Sequence, residues 1–525
     1  MIFRGPHADV SAPKINVLEF VLGDISSHKD KTAIVQAETG RKISYHEISE
    51  SINQLAKGLQ VAGFKKGDVL AIYSPNLPEY VVVFLAVLKL GGVCTTANPL
   101  YTADELAKQL KDSKAKLIVT VSAFLDKAKA STTNQNIDEI IVIDGAPNHR
   151  SLKDLMLTGN DIILPAISSD SDVCVLPYSS GTTGLPKGVM LTHHNLIVNM
   201  CQTEGMESHN AITEKDIVLG VLPFFHIYGM VVIMLYTLYR RGTIVCMSRF
   251  EMDDFLKAIE THKVTKAPIV PPIVLGLAKH PAVEKYDLSS LELILSGAAP
   301  LGEGVALEAA NRIGCNIAQG FGMTEASPVT HLLPISDEKK NIGSIGLPIP
   351  NTEVMIVDPE TETPLGKNQN GEIWIRGPQI MKGYLNRPKD TADSITKDGW
   401  YRTGDIGYVD EEGLFYAVDR IKELIKFKGM QVAPAELEAL LLTHPSIADV
   451  AVIPVADEEA GELPKAVVVA KPEVEMSEAD VMSFVSERVA PHKRIRIVEF
   501  VQQIPKSASG KILRRVLIQK EREKK

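Results

Sequence analysis

Strand-like and helix-like segments alternate through the first third of the 525-residue chain, and this alternation constrains its fold more than any other feature. Short apolar runs at 69–73, 93–97 and 115–121 are separated by segments with helical spacing at 78–90 and 102–113. Strands joined by helices of this length indicate βαβ units, and therefore parallel sheet. The same alternation returns beyond residue 188, which predicts a second sheet of this kind.

The pattern of predicted strands, helices and turns changes at two points in the rest of the chain. Near residue 340 short strands separated by Gly, Pro and Asn turns begin, which predicts a small β-rich subdomain over about 340–420. Beyond Asp419 lies a compact mixed segment of a size that can fold alone. We therefore predict an α/β protein with a large N-terminal domain over 1–420, built from two doubly wound subdomains and the β-rich one. A hinge joins it to a small α+β C-terminal domain over 421–525.

Composition narrows the functional classes. The net charge of −9 argues against wholesale binding to nucleic acid, and 45% hydrophobic with 23% charged residues is typical of a globular protein. The cysteines are odd in number and form no CxxC pair, so neither a disulfide framework nor a zinc site is expected. We interpret them as small buried hydrophobic residues in a reducing compartment.

The apolar runs also bear on location. None reaches the roughly 20 residues that a membrane-spanning helix needs. The first residues lack the apolar run of a signal peptide, and the last three are not the Ser-Lys-Leu peroxisomal address. We expect a cytoplasmic protein without an integral membrane segment, and either a monomer or a weak dimer.

A glycine-rich string follows the strand predicted at 173–176 and predicts a phosphate-binding loop over 179–188. Its glycines let backbone amides approach an anion closely, its hydroxyl groups add donors, and its lysine adds a cation. The spacing differs from the Walker pattern GxxxxGK[ST], so this is another loop with similar physical logic. The residues expected to contribute are Ser179, Ser180, Gly181, Thr182, Thr183, Gly184 and Lys187.

This string resembles the signature loop of the acyl-adenylate-forming superfamily, which includes acyl-CoA synthetases, beetle luciferases and peptide-synthetase adenylation domains. Four further strings resemble motifs of this family and occur in the same order. They are the adenine-and-metal motif at 319–325, the ribose-binding motif at 401–405, the hinge motif at 419–426 and the catalytic-lysine motif at 505–511. The resemblance covers nearly the whole chain, and residues 263–300 and 382–438 are very similar to plant 4-coumarate–CoA ligases. It implies an enzyme that adenylates a carboxylic acid with ATP, releases pyrophosphate, and then passes the acyl group to CoA with release of AMP.

The resemblance also implies residue roles in adenylation. It places Lys511 between the acyl carboxylate and the α-phosphate of ATP, with Thr324 near the same phosphate. Glu325 is implied to help hold Mg²⁺, a hard cation that prefers carboxylate and phosphate oxygens. Asp405 is implied to accept both ribose hydroxyls, with Arg420 beside it. The implied nucleotide-binding set also contains Gln319 and Gly320.

The second half-reaction involves other residues in this family, because its small domain rotates so that a different face closes the site. Lys422 occupies the hinge position, where a few residues absorb the rotation. Lys426 and Gln431 are implied to act in the rotated state. The residues implied to face CoA are Gly429, which suits a strand edge that lets the pantetheine arm pass, Lys428 and Arg249.

The acid is the least determined part of the prediction. The resemblance puts His226 at the mouth of the acyl pocket and implies a lining of Tyr228, Gly297, Ala298 and Gly322. After the tyrosine this chain reads Gly-Met-Val where the plant enzymes usually carry Ala-Leu-Asn, which removes a partner for a 4-hydroxyl group. We expect 4-coumarate or a related hydroxycinnamate, with a medium- or long-chain fatty acid as the alternative.

Two other interpretations compete with an acid–CoA ligase. The first is an adenylating enzyme with a different acceptor, such as a luciferase-like oxidation or the loading of a carrier protein. No carrier domain follows Lys511, and no carboxylate follows His226 to hold an amino group, so carrier loading is disfavoured. The second is a non-catalytic nucleotide-binding protein, which the presence of every implied charged residue disfavours.

Overall fold

A computed structural model describes residues 1–159, 161–179, 186–206, 211–335, 341–428, 430–457, 459–472, 474–507 and 510–524. Within them the strands are β1 (Phe3–Arg4), β2 (Thr32–Gln36), β3 (Lys42–Ser44), β4 (Val69–Tyr73), β5 (Val93–Thr96), β6 (Leu117–Thr120), β7 (Glu139–Val142), β8 (Val173–Ser179), β9 (Lys187–Thr192), β10 (Ile217–Gly220), β11 (Thr243–Cys246), β12 (Lys266–Ile269), β13 (Leu293–Ser296), β14 (Asn316–Gly322), β15 (Val329–Leu332), β16 (Leu347–Pro348), β17 (Glu353–Val357), β18 (Gly371–Arg376), β19 (Gly383–Tyr384), β20 (Tyr401–Val409), β21 (Phe415–Arg420), β22 (Ile425–Phe427), β23 (Met430–Val432), β24 (Ile447–Asp457), β25 (Gly461–Ala470) and β26 (Ile497–Phe500).

The helices of the same residues are α1 (Val17–Leu22), α2 (Tyr45–Val61), α3 (Pro78–Lys89), α4 (Ala103–Ser113), α5 (Leu125–Thr132), α6 (Leu152–Leu155), α7 (His193–Glu204), α8 (Tyr236–Tyr239), α9 (Met252–His262), α10 (Pro271–Lys279), α11 (Glu303–Ile313), α12 (Pro388–Ser394), α13 (Pro434–Leu442), α14 (Glu478–Ser486) and α15 (Arg514–Arg522). A π-helix covers Tyr228–Leu235, and a short 3₁₀ helix covers Thr324–Ala326. None of the described helices combines the length and the apolar content that crossing a membrane requires.

Two largely parallel sheets carry most of the chain. Among the described residues one has the order β16-β15-β14-β13-β12-β10-β11-β2-β3 and the other the order β19-β9-β8-β5-β4-β6-β7. The strands β5, β6 and β11 are buried along their whole length and β4 along all but its first residue, as expected where helices cover both faces of a parallel sheet. One apolar core, with the nearly all-buried α3 inside it, joins the two sheets into a single body.

A third sheet is wholly antiparallel and has the order β1-β17-β18-β20-β21 in the described part of the chain. It has an apolar cluster of its own, which contains Val354, Ile356, Ile373 and Phe415. The N-terminal strand β1 forms one edge, and β21 forms the other and ends at Arg420. The predicted β-rich segment therefore forms this sheet together with β1, an edge strand that comes from the beginning of the chain.

The chain beyond Arg420 builds a separate mixed sheet, β23-β22-β25-β24 with β26 beside β25, and a core distinct from that of the larger sheets. Contacts fix its placement against the rest of the protein. Lys279 Nζ donates to the carbonyl of Leu442 over 2.6 Å, and a Cβ added at Gly302 would lie 3.1 Å from the Cβ of Ala439. Helix α13 thus packs against the N-terminal end of α11.

The five cysteines all lie within described residues and are free thiols, as expected from their spacing. Four of them are buried, and Cys201 is partly buried. Burial raises the pKa of the Cys174 and Cys246 thiols, so both stay protonated. They pack as small apolar groups.

Candidate active site

The candidate site lies where parallel strands from both large sheets end. Gly297 follows the last residue of β13, Glu325 lies just beyond β14, and Ser179 closes β8. The Ser179 hydroxyl donates to Glu325 Oε1 over 2.8 Å, which joins the carboxyl ends of strands from two sheets. Ligands in open α/β folds bind in the crevice outside such strand ends.

Glu325 is 6% exposed and is held from two sides. Besides Ser179, the hydroxyl of Tyr384 donates to Glu325 Oε1 over 2.9 Å. Both donors use Oε1, and no hydrogen bond from another described residue reaches Oε2, which suits a cation ligand. No group of three or more His, Cys, Asp or Glu side chains suited to a metal occurs among the described residues. A single carboxylate fits Mg²⁺ that is held mainly by the phosphates of a nucleotide.

Asp405 and Arg420 are directly opposite each other in the register of β20 and β21. Arg420 Nε donates to Asp405 Oδ1 over 3.2 Å. Burial raises the pKa of Asp405 to about 6, although the positive charges of Arg420 and Lys511 oppose that change. The pairing leaves Oδ2 available, which suits a carboxylate that would accept hydrogen bonds from a ribose.

Lys511 is presented by a tight turn that brings it into the same site. The Ser507 N–H donates to the Lys511 carbonyl over 2.8 Å, and the Lys511 N–H donates to Ser507 Oγ over 3.1 Å. Burial lowers the pKa of the Lys511 amine to about 8, and the charge of Arg420 lowers it further, while Asp405 and Glu325 oppose the change. The predicted catalytic lysine therefore lies within electrostatic range of both predicted carboxylates.

His226 faces the same amine. Burial lowers its pKa to about 3, and the charge of Lys511 lowers it further, so the imidazole is neutral. The Tyr228 N–H donates to His226 Nδ1 over 3.3 Å. Because Nδ1 accepts, the proton of the neutral ring lies on Nε2, which makes that nitrogen a hydrogen-bond donor.

Two of the predicted acyl-pocket residues, Tyr228 and Gly297, are in contact close to His226. The Tyr228 hydroxyl donates to the carbonyl of Leu295 over 2.7 Å, and a Cβ added at Gly297 would lie 3.0 Å from the Tyr228 ring. Ala298 has a positive φ of 71°. At Gly322 an added Cβ would lie 2.2 Å from a backbone carbonyl oxygen, so glycine is required there for the backbone to pass.

Gln319 and Gly320 lie on β14 beneath this crevice. The Gln319 side chain is buried and accepts from the Leu301 N–H while it donates to the carbonyls of Leu301 and Ile342. Its amide is thus occupied by the backbone of neighbouring segments. The Gln319 carbonyl also accepts the Leu333 N–H over 2.9 Å, so this residue links β14 to the segments around it.

Lys187 is the first residue of β9, so the end of the segment predicted as a phosphate-binding loop is a strand. It is 8% exposed, its Nζ lies 2.9 Å from Asp390 Oδ1 on α12, and it stands 5.0 Å from the centre of the Tyr384 ring. Sequence reasoning missed both Tyr384 and Asp390. No motif marks them, because each acquires its partner only through the folding of β19 and α12 onto β9.

The residues predicted to act with CoA are on or near the surface. Lys422 is exposed in the turn after β21, and Lys426 and Gln431 are exposed opposite each other in the β22–β23 hairpin. Lys428 follows β22 with a positive φ of 49° and pairs with Glu459 over 2.6 Å. Arg249 is exposed beyond β11.

Six predicted residues lie outside the described part of the chain, namely Ser180, Gly181, Thr182, Thr183, Gly184 and Gly429. The first five of them lie between two adjacent antiparallel strands, since Ser179 and Lys187 are opposite each other in the register of β8 and β9, whereas Gly429 lies between β22 and β23. Thr324, the remaining predicted phosphate contact, opens the 3₁₀ helix that carries Glu325.

Family models match both parts of the chain. Residues 24–385 match the model described as AMP-binding enzyme, and residues 436–511 match its C-terminal domain. The chain therefore belongs to the AMP-binding enzyme family, as the sequence motifs predicted. The first of these matches covers the two large sheets, and the second ends at Lys511.

Relatives share nearly the full length. 4-Coumarate–CoA ligase 2 of Petroselinum crispum is 45% identical over 526 residues, which cover 98% of this chain and 96% of that protein. A 4-coumarate–CoA ligase-like protein of Arabidopsis thaliana is 43% identical over 533 residues, with the same coverage of 98% and 96%. The protein is accordingly an acid–thiol ligase of the AMP-forming class, for which ATP and CoA are substrates.

Solved structures agree with the fold. The ATP-bound MatB of Rhodopseudomonas palustris has a TM-score of 0.88 at 29% identity, with 97% of this chain and 99% of that chain covered. A complex of the anthranilate CoA ligase AuaEII with anthranoyl-AMP has a TM-score of 0.89 at 24% identity, with 97% of each chain covered. The predicted α/β fold class, with its small C-terminal unit, is confirmed.

Proposed function

We propose that this protein is a 4-coumarate–CoA ligase that forms the acyl-adenylate of a hydroxycinnamate and then its CoA thioester. The observation that carries this proposal is the convergence of Lys511, Glu325, Asp405 and His226 at one set of strand ends. Full-length similarity to ligases of that name supports the choice of acid.

Adenylation brings a carboxylate onto the α-phosphate of ATP, so two anions must approach each other. The Lys511 ammonium is placed to neutralise both. A unit charge about 4 Å away is worth about 4 kcal/mol at an effective dielectric constant near 20. That is roughly three decades in rate. Asp405 and Arg420 position the ribose, and Lys187 with Thr324 and the loop at 179–188 contacts the phosphates.

Mg²⁺ would be held by Glu325 Oε2 together with phosphate oxygens of the nucleotide. When bound, it supplies charge neutralisation to the departing pyrophosphate. The Ser179 and Tyr384 hydroxyls orient the carboxylate so that Oε2 faces away from them.

His226 orients the acid at the mouth of the pocket. Its neutral ring donates from Nε2, and a donor there suits a carboxylate oxygen of the substrate. The imidazole adds no positive charge that would compete with Lys511. Tyr228, Gly297, Ala298 and Gly322 line the space beyond it.

Thioester formation uses a second orientation of the C-terminal domain over 421–525, which we call the lid. Lys422 is the pivot, in an exposed turn that connects β21 to the lid. Rotation of the lid moves Lys511 out of the active site and brings the β22–β23 hairpin in, so that Lys426 and Gln431 reach the adenylate. Lys428, Gly429 and Arg249 bind CoA. The boundary near residue 420 is supported by the end of β21 at Arg420.

A fatty acid is the second candidate for the substrate. The Tyr228 hydroxyl is already hydrogen-bonded to Leu295, and the following residues Gly229, Met230 and Val231 are buried and carry no polar side chain. A pocket of this composition suits an apolar tail as well as an aromatic ring.

The experiment is CoA-dependent AMP release, measured as kcat/KM on a matched panel of cinnamates and medium- to long-chain fatty acids. We expect 4-coumarate to give the highest value. Higher kcat/KM values for fatty acids would show that the substrate is a fatty acid, while the proposed ligase reaction would stand. ATP–pyrophosphate exchange without CoA-dependent turnover would favour a luciferase-like enzyme, and no exchange with any acid would refute adenylation.

A further inference from the structure

We propose that Arg514 is a positioning residue that holds the lid in the orientation used for adenylation. It does so within a buried cluster of one guanidinium and three carboxylates, Arg514, Asp419, Glu423 and Glu438, which we call the Arg514 cluster. The inference rests on the proposed two-orientation reaction and adds a determinant of its first orientation.

Arg514 is the first residue of α15 and lies three residues beyond Lys511. Its three donor groups reach three different elements. One terminal nitrogen donates to Glu423, the other donates to Glu438 Oε2 over 2.6 Å, and Nε donates to the carbonyl of Val452 over 3.3 Å. The guanidinium therefore fixes the end of the turn that presents Lys511.

The carboxylates of the cluster lie on both sides of the pivot. Asp419 belongs to β21, ahead of the pivot at Lys422, and Glu438 belongs to α13 in the lid. Asp419 Oδ2 accepts the Ala435 N–H at the start of α13 over 2.8 Å. A rotation about the pivot must separate these two groups, so this bond exists only in the orientation described here.

Glu423 lies within the pivot turn itself. Its N–H donates to the carbonyl of Arg420 over 2.9 Å, and the next N–H, that of Leu424, donates to the same carbonyl. These two bonds span Lys422, which must change its backbone angles when the lid rotates. By holding the Glu423 side chain, Arg514 stabilises the turn in its present conformation.

The charge balance explains why the guanidinium is needed. The Arg514 side chain is 14% exposed and that of Glu438 10% exposed, so both are largely removed from water. Burial raises the pKa of Glu438 to about 7, while Arg514 opposes that change. Asp419 also has its pKa raised by burial, and Arg514 again opposes the rise. Without Arg514 like charges would face each other across the pivot, which favours separation.

The test compares the two half-reactions in Arg514→Gln. We expect the rate of ATP–pyrophosphate exchange to fall roughly 10- to 100-fold, because Lys511 is displaced. Thioester formation from a supplied acyl-adenylate and CoA should stay within about two-fold of the parent rate, since it uses the other orientation. The matched control is Arg515→Gln, an exposed arginine on the same helix. Equal losses in both half-reactions, or no loss in either, would overturn the proposal.

A second variant addresses the charge balance. Adding Glu438→Gln to Arg514→Gln removes one of the facing charges, and we expect exchange activity to recover in part. Failure to recover contradicts the electrostatic argument.

If Arg514→Gln does not fold, Glu423→Gln takes its place, because it breaks the link to the pivot turn and leaves Glu438 paired with Arg514. Glu423 also raises the pKa of Lys511. If Glu423→Gln lowers the exchange rate across the whole pH range, the Glu423 side chain acts by positioning. If the variant only shifts the pH profile of exchange to lower pH, the positioning proposal is contradicted.

The rate of disulfide formation between two introduced cysteines reports the orientation of the lid without any substrate. A Cβ built at Gly302 lies 3.1 Å from the Cβ of Ala439 across the interface, slightly less than the roughly 3.5–4.5 Å that a disulfide spans, so a small local shift accommodates the bond. With Gly302→Cys and Ala439→Cys, oxidised glutathione should form this bond readily, and more slowly by roughly ten-fold when Arg514→Gln is added. An unchanged rate refutes the proposal even if no acid is turned over, so its failure is distinguishable from failure of the proposed function.

Discussion

At the scale of single residues, the protonation state of Lys511 sets the pH range of adenylation. Its amine has a pKa lowered to about 8, and only the charged form neutralises the approaching anions. We expect kcat/KM for ATP in the exchange reaction to fall tenfold per pH unit above about 8. The control is Lys511→Ala, whose residual activity should lack this limb. A limb near the ordinary lysine value instead would show that the amine is not buried in the free enzyme.

The charged residues of the site were predictable and their supports were not. Glu325, Asp405 and Lys511 occur in contiguous strings that resemble family motifs, and the resemblance alone marks them as candidates. Tyr384 donates to Glu325 from 59 residues further along the chain, and no local pattern signals that contact. Asp390, the partner of Lys187, is likewise one of several charged residues on a short helix, and only packing distinguishes it.

At the scale of elements, the region around the phosphate loop shows where sequence reasoning stops. The strand predicted at 173–176 continues through Pro177 and Tyr178 to Ser179. Proline usually argues against a central strand, yet Pro177 is opposite Thr96 of β5. Pairing with β5 and β9 therefore overrides the local signal. The strands β4 and β18, by contrast, are flanked by clear turns or helices and could be predicted well from their apolar patterns.

The contact between α12 and β9 is worth testing because it fixes the end of the phosphate loop. In Asp390→Asn the nearly buried Lys187 loses its carboxylate partner. We expect the free energy of unfolding to fall, since the nearly buried ammonium is left without the charged group that accepts its hydrogen bond. KM for ATP should rise in parallel as Lys187 becomes less well placed. Chemical denaturation and exchange kinetics measure the two effects.

The matched control for that variant is Asp393→Asn, an exposed carboxylate on the same helix. It should change neither stability nor KM for ATP. If both variants behave alike, the effect comes from the charge of α12 and not from the contact with Lys187.

At the scale of the whole molecule, the proposed lid rotation predicts a separation of the half-reactions. Lys511 lies in the site in the orientation described, whereas the exposed Lys426 and Gln431 lie on another face of the lid. We expect Lys511→Ala to lower adenylation by roughly three decades, the value of one unit charge, while thioester formation from a supplied adenylate persists. Single-turnover assays of each half-reaction measure this. Parallel loss of both would contradict the rotation.

The ladder between β20 and β21 carries a further consequence for the order of events. The carboxylate proposed to hold the ribose is opposite Arg420, and the Ile421 N–H closes the last rung on Gly404 over 2.9 Å, one residue ahead of the pivot. If the proposed ribose contact and lid rotation hold, the nucleotide is anchored to the part of the protein that does not rotate, and only its phosphate end loses a contact when the lid turns. The proposal then implies that AMP keeps its position during thiol attack, because β20 and β21 stay paired through the rotation.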